Sequence, residues 1–157
     1  MTKIAFQDLY AEDFSHCFGC GRNNKYGHHL KSYWNDGMNK TIAKITPSNV
    51  YTGGVPDHLY GGMIASLLDC HGAASAAAFK SKSLHIPFDG SVYLARCVTG
   101  SLLVNFIKPT PIESEILIQG KLISIEGRKI KVGLLLIVNN EICATAEMLA
   151  IELNHNK

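Results

Sequence analysis

Tyr60-Gly61-Gly62-Met63-Ile64-Ala65-Ser66-Leu67-Leu68-Asp69-Cys70-His71-Gly72-Ala73 is the stretch on which the reading of the whole chain turns. From Gly61 to Lys80 there is no proline, and Ala, Leu, Met and Ile dominate. The length suits a core helix and is too long for a typical strand. Glycines are poor helix formers, so Gly61-Gly62 mark a tight start where the backbone approaches something closely. Asp69 follows eight residues later, about 12 Å along the helix at about 1.5 Å per residue. Its helical neighbours Ala65, Gly72, Ala73 and Ala76 form a stripe of small residues that leaves space above a carboxylate, whereas Ile64, Leu67, Leu68 and Phe79 can pack. An acid in that setting marks a site.

The chain has 157 residues, 46% apolar and 18% charged. These values predict one globular domain over 1–157, with 1–27 forming an N-terminal helix and a Cys-containing loop. A net charge of +2 with scattered basic residues argues against a nucleic-acid partner. Residues 60–79 are nearly uncharged but rich in Ala and Gly and carry Asp69 and His71, a poor membrane span. Five cysteines without a signal peptide predict a reducing, cytoplasmic setting.

Working outward, Met1–Ser15 reads as a short amphipathic helix. Cys17-Phe18-Gly19-Cys20-Gly21 opens a turn-rich loop. Its CxxC spacing invites a zinc reading, but a structural site needs four ligands and there is no second CxxC or HxxxH. A set of Cys17, Cys20, Cys70 and His71 is the alternative; buried free cysteines and a packed structural His71 are preferred, and no metal is expected. His29–Trp34 and Thr41–Thr46 alternate around Asn35-Asp36-Gly37 as a hairpin. After the helix, Cys97–Ile107, Glu115–Ile125, Lys129–Val138 and Ile142–Leu153 read as strands. The last three are linked by Glu126-Gly127 and Asn139-Asn140, too short for crossover helices, so they form an antiparallel meander. The fold class is α+β: a long helix, apolar on most sides, wrapped by a curved antiparallel sheet of five to six strands.

With helix and meander in place, the chain resembles the hotdog-fold acyl-CoA thioesterases. The branch it is most similar to is the phenylacetic-acid-degradation one, within the 4-hydroxybenzoyl-CoA thioesterase superfamily. Gly61-Gly62-Met63-Ile64-Ala65-Ser66-Leu67-Leu68-Asp69 resembles the family's His-Gly-Gly-x-x-x-x-x-Leu-Asp motif. Val104–Pro111, Gly127-Arg128 and Cys17–Gly21 resemble further family segments. The resemblance implies hydrolysis of an acyl-CoA, or of another acyl thioester such as one on acyl carrier protein, to acid and thiol without a metal or redox cofactor. In that reading Asp69 is base or nucleophile, and Gly61 and Gly62 present N–H groups to the thioester carbonyl. Free N–H groups at a helix start are donors already aimed at developing negative charge. It also implies a homodimer that pairs the glycine end of one subunit with the acid of the other, Cys97–Asn105 being the joining edge strand. Tetramers of two dimers are common in the fold.

Tyr60 stands where the family has His. His58, two residues earlier, is a partial substitute, and Tyr60 can hold the loop through its hydroxyl. This departure motivates the alternative of a non-catalytic acyl-CoA- or lipid-binding module. Ser66, about 60° from Asp69 in helical projection, is a candidate for contact with substrate or water. Asn24 and Ser75 are weaker ones. Arg128, Lys108, Arg96 and Lys129 are candidates for the coenzyme A phosphates, with Arg128 first because it follows the Gly127 turn.

Overall fold

The computed structural model describes residues 4–154. One long helix, α1 (Gly61–Ser83), packs on a six-stranded antiparallel sheet of β1 (Ser32–Asn35), β2 (Lys40–Ile45), β3 (Cys97–Phe106), β4 (Ile116–Glu126), β5 (Lys129–Val138) and β6 (Glu141–Glu152). The spatial order is β1-β2-β4-β5-β6-β3. α1 touches all six strands. Five inter-strand spacings of about 4.8 Å would spread a flat sheet over about 24 Å, twice a helix diameter, so the sheet must curl round the helix. This is the hotdog arrangement.

The sheet follows from local chemistry. Ile130, Val132, Leu134, Leu136 and Val138 alternate inward along β5. The apparent apolar run at 133–138 is therefore an ordinary two-residue alternation whose outer positions are also apolar. Asn139 and Asn140 both take positive φ, 50° and 64°, the requirement of a two-residue turn matching strand twist. β3 follows α1 after the segment 84–96 and pairs with β6 at the end of the strand order, which makes it an edge. Along and just beyond this edge Val98, Leu103, Phe106 and Ile107 are exposed, Leu103 at 64% and Phe106 at 57%.

The helix carries apolar residues on most of its circumference, with Met63, Leu67, Leu68 and Phe79 buried. The small-residue stripe has two roles. A Cβ on Gly72 would lie 2.8 Å from the Met148 side chain and 3.0 Å from Leu134. Gly72 brings helix and sheet close together, whereas Ala73 borders the open cavity beside Asp69.

Three local expectations are corrected. In place of an N-terminal amphipathic helix there are two 3₁₀ turns, Phe6–Leu9 and Glu12–Phe14; residues 1–3 of that expectation lie outside the described residues. Acids at Glu12 and Asp13 interrupt the apolar periodicity, and Phe6 and Leu9 are buried by docking on the core rather than by helix formation. β1 begins at Ser32, because His29 takes a left-handed φ of 52° that no strand accommodates. β1 and β2 do pair as the expected hairpin, and Asn35-Asp36-Gly37 lies at its link, a 3₁₀ turn at Asp36–Met38 closed by Asn39 at φ 48°. α1 also runs three residues past Lys80, to Ser83.

Candidate active site

The start of α1 is uncapped. Tyr60 precedes it in extended conformation, φ −71° and ψ 148°, and its side chain makes no capping hydrogen bond. The N–H groups of Gly61 and Gly62 have no intrahelical acceptor. The Tyr60 ring lies across Gly62, where a Cβ would come 2.3 Å from the ring carbon Cε2. Gly62 is thus the residue that admits this ring. Beside Gly61 stands Phe106, with ring atoms 3.3 Å from where a Cβ would be. Two clefts open here. One of about 320 Å³ is lined by His58, Tyr60, Gly61 and Pro109. Another of about 310 Å³ is lined by Gly61, Ile64, Phe106 and Lys108. His58 sits at the first but binds locally, its Nδ1 being 2.9 Å from the Pro56 carbonyl oxygen.

Asp69 is half-buried and lines a separate cavity of about 210 Å³ between α1, β3 and the N-terminal loop. Thr99 Oγ1 donates a hydrogen bond to Asp69 Oδ1. The β3–β6 register shifts between Thr99 and Ser101, and such a bulge re-aims side chains on an edge strand. Thr99 is the partner that the sequence reading missed. Nothing on α1 itself holds the carboxylate, and the contact depends on β3–β6 register, which no local pattern encodes.

The other candidates are dispersed. Ser66 turns toward Gly19 of the Cys loop, its Oγ 3.5 Å from a Cβ built there. Lys108 flanks Gly61 but is paired with Glu141 at 2.9 Å. Arg128 lies at the other end of α1: Lys80, on the last helical turn, donates to the Gly127 carbonyl at 2.8 Å. The helix is 23 residues long, about 34 Å, so within one chain Arg128 and Gly61 belong to opposite ends of the molecule. Arg96 stacks over the Tyr10 ring at 4.7 Å and faces the Asp69 cavity. Lys129 is exposed at the base of β5 and Ser75 is buried, while Asn24 Nδ2 donates to the His16 carbonyl.

His71 is fully buried and held between Ser32 Oγ, 2.9 Å from Nδ1, and Thr41 Oγ1, 3.3 Å from Nε2. It is the packed histidine expected, pointing away from the cysteines. Burial pushes its pKa down from 6.5 to about 3. Between those values the unfolded chain binds a proton that the native state refuses, so stability falls as pH falls through this window. Urea unfolding of wild type should therefore lose up to about 1.4 kcal/mol per pH unit from this group. The His71→Gln protein should be less stable at neutral pH and flatter in the same window. Parallel pH slopes for the two proteins would refute the buried-neutral assignment.

Cys17, Cys20 and Cys70 meet behind Asp69. Hydrogen bonds from the Cys20 and Cys70 thiols hold Cys17 well below the usual thiol range, and the contact with Cys17 pushes Cys20 up to about 11. Burial pushes the neighbouring Cys97 up to about 12. No helix among the described residues is long and apolar enough to cross a membrane.

Comparison with known proteins bears on this geometry. The Thioesterase superfamily profile matches residues 57–145, which include the uncapped glycines, Asp69 and Thr99. A Thioesterase superfamily protein from Shewanella loihica PV-4 is 32% identical over 91% of this chain and 98% of its own, with a TM-score of 0.67. A Streptococcus mutans UA159 protein solved bound to acetyl CoA is 14% identical over 75% of this chain and 84% of its own, TM-score 0.59. The E. coli PaaI protein from the phenylacetic acid degradation operon is 10% identical over 73% of both chains, TM-score 0.60. These last two show the fold alone. Among curated proteins there is no match. The profile match over more than half the chain and the near full-length Shewanella match show that this chain belongs to the thioesterase superfamily, which supports thioester hydrolysis as its general chemistry.

Proposed function

We propose that the protein hydrolyses acyl-CoA thioesters to free acid and coenzyme A, as a homodimer whose sites are shared between chains. The observation that carries this reading is the pairing of an uncapped Gly61-Gly62 helix start with a carboxylate, Asp69, held by Thr99 on the edge strand. The two ends lie about 12 Å apart along one helix, too far to act on one carbonyl, so a second copy of the chain supplies the missing half. The exposed apolar edge of β3 suits such pairing, since an open strand is a template for another chain.

In the reaction, the Gly61 N–H, assisted by that of Gly62, donates a hydrogen bond to the thioester oxygen as negative charge grows on it. Asp69 of the other chain takes a proton from water, whose oxygen attacks the carbonyl carbon. Collapse of the tetrahedral intermediate breaks the C–S bond, and the proton held by Asp69 passes to the leaving thiolate. Direct attack by the carboxylate, with water later opening the anhydride, uses the same groups. Lys108, beside Gly61, is better placed than Arg128 to meet coenzyme A phosphates there. The acetyl CoA bound by the Streptococcus mutans relative supports this ligand class.

One observation favours a second reading, acyl-CoA binding without turnover: the Tyr60 ring covers Gly62 where the family motif has His. A thiol-release assay over acetyl-, medium-chain, palmitoyl- and aromatic acyl-CoA separates the two. Saturable release from at least one substrate is expected. Calorimetric binding with no release from any of them would establish the binding module instead.

A further inference from the structure

Beyond the hydrolytic site, three of the five cysteines converge from distant parts of the chain. Cys17 and Cys20 come from the loop before β1 and Cys70 from α1, and their sulfurs all lie within 4.8 Å of one another. Cys17 Sγ and Cys70 Sγ are 3.7 Å apart. A disulfide would require about 2.05 Å. A tetrahedral zinc ion with bonds of about 2.3 Å to sulfur sets its thiolates about 3.8 Å apart, close to the observed spacing.

The loop is shaped around this convergence. Gly21 N donates to the Cys17 carbonyl at 2.7 Å, closing the CxxC turn. A Cβ on Gly19 would stand 2.2 Å from Cys70 Sγ, and one on Gly21 would stand 2.4 Å from the Cys17 nitrogen. Only glycine at both positions lets the turn fold down onto α1. The sulfurs border the 210 Å³ cavity that also holds Asp69 and Arg96, a space with room for water. Three thiolates around a dication carry one net negative charge, and the Arg96 guanidinium is the cation at hand. His71, the fourth ligand that spacing alone offered, is engaged by Ser32 and Thr41 and takes no part.

We propose that Cys17, Cys20 and Cys70 bind one soft divalent cation of the Zn²⁺ class through three thiolates, with a solvent ligand from the cavity in the fourth position. Thiolate donors select zinc over hard cations such as Mg²⁺ or Ca²⁺. Binding transfers the three thiol protons to solvent and forms three metal–sulfur bonds. Cys70 adjoins Asp69, so the cation would pin the N-terminal loop to the helical turn that carries the carboxylate. Its role is structural, and the thioester carbonyl remains with the Gly61 end.

Titration of the reduced full-length protein with Co²⁺ tests the site independently of hydrolysis. The expected result is one equivalent per chain, with the intense visible bands of tetrahedral cobalt and a thiolate-to-cobalt charge-transfer band, both displaced by Zn²⁺. Competition against a chromophoric chelator should show Zn²⁺ binding weakened in Cys17→Ser and Cys70→Ser by more than the roughly 10–100-fold that losing an outer-shell partner costs. Cys143→Ser, on β6 and outside the cluster, should bind as wild type does. The wild-type spectrum decides the matter even where a variant fails to fold. Substoichiometric uptake, an octahedral spectrum, bands that survive Cys70→Ser, or a Cys17–Cys20 disulfide that persists under reductant would each overturn the proposal.

Discussion

Replacing Asp69 by Asn is expected to lower thiol release by about 10²–10⁴, the range that a positioned general base contributes. The substitution is nearly isosteric. An Asn carbonyl still accepts the hydrogen bond from Thr99 Oγ1, so the β3 contact survives while basicity and nucleophilicity are removed. Asp69 is only half-buried, so little desolvation energy changes when its charge goes. The thermal midpoint should therefore stay close to wild type, and a non-hydrolysable acyl-CoA thioether should bind with unchanged affinity. Asp69→Ala should be equally inactive, with a further small loss of stability from the orphaned Thr99 hydroxyl. The decisive comparison is kcat/KM on the best substrate for all three proteins. Hydrolysis that persists at wild-type rate in both variants would remove Asp69 from the mechanism.

What could be read in the sequence, and what could not, divides along the range of the interactions. α1 was legible because twenty proline-free residues leave no alternative, and the β4–β6 meander because Asn139-Asn140 fits only a tight turn. Asp69 stood out as an acid where apolar residues were due. Its surroundings did not. Gly72 serves close packing against Met148 and Leu134, while the room beside the carboxylate lies between Ala73, β3 and the Cys loop. Thr99 lies 30 residues from Asp69, and the Cys17–Cys70 contact spans 53. Both depend on strand register and loop docking, which hydrophobic periodicity does not carry. The N-terminal segment departs from its apparent helical pattern for a related reason. Phe6 and Leu9 are buried because they dock on the core, and a docking preference looks like amphipathic periodicity over so few residues.

Gly61→Pro is expected to cost about 10²–10³ in kcat, the loss typical of removing one donor to a developing oxyanion. The backbone makes this an unusually clean deletion. Tyr60 already has φ −71° and ψ 148°, the extended conformation that a following proline demands. Position 61 is the first of the helix, where proline is favoured and its missing N–H breaks no helical hydrogen bond. The ring would press on Phe106, 3.3 Å from a Cβ at this position; that side chain is more than half exposed within one chain and lies at the end of the edge strand, so sedimentation should show that the variant still pairs as wild type does. Circular dichroism and the thermal midpoint should thus remain near wild type while turnover collapses. Mixing then asks whether the site is shared. In a hybrid of Gly61→Pro and Asp69→Asn chains, one site joins an intact Gly61 to an intact Asp69 and the other joins two defects. After equal mixing and subunit exchange, about a quarter of wild-type activity should return, as random pairing in a two-fold dimer requires. A site complete within one chain would recover nothing, because each parent would keep its own defect.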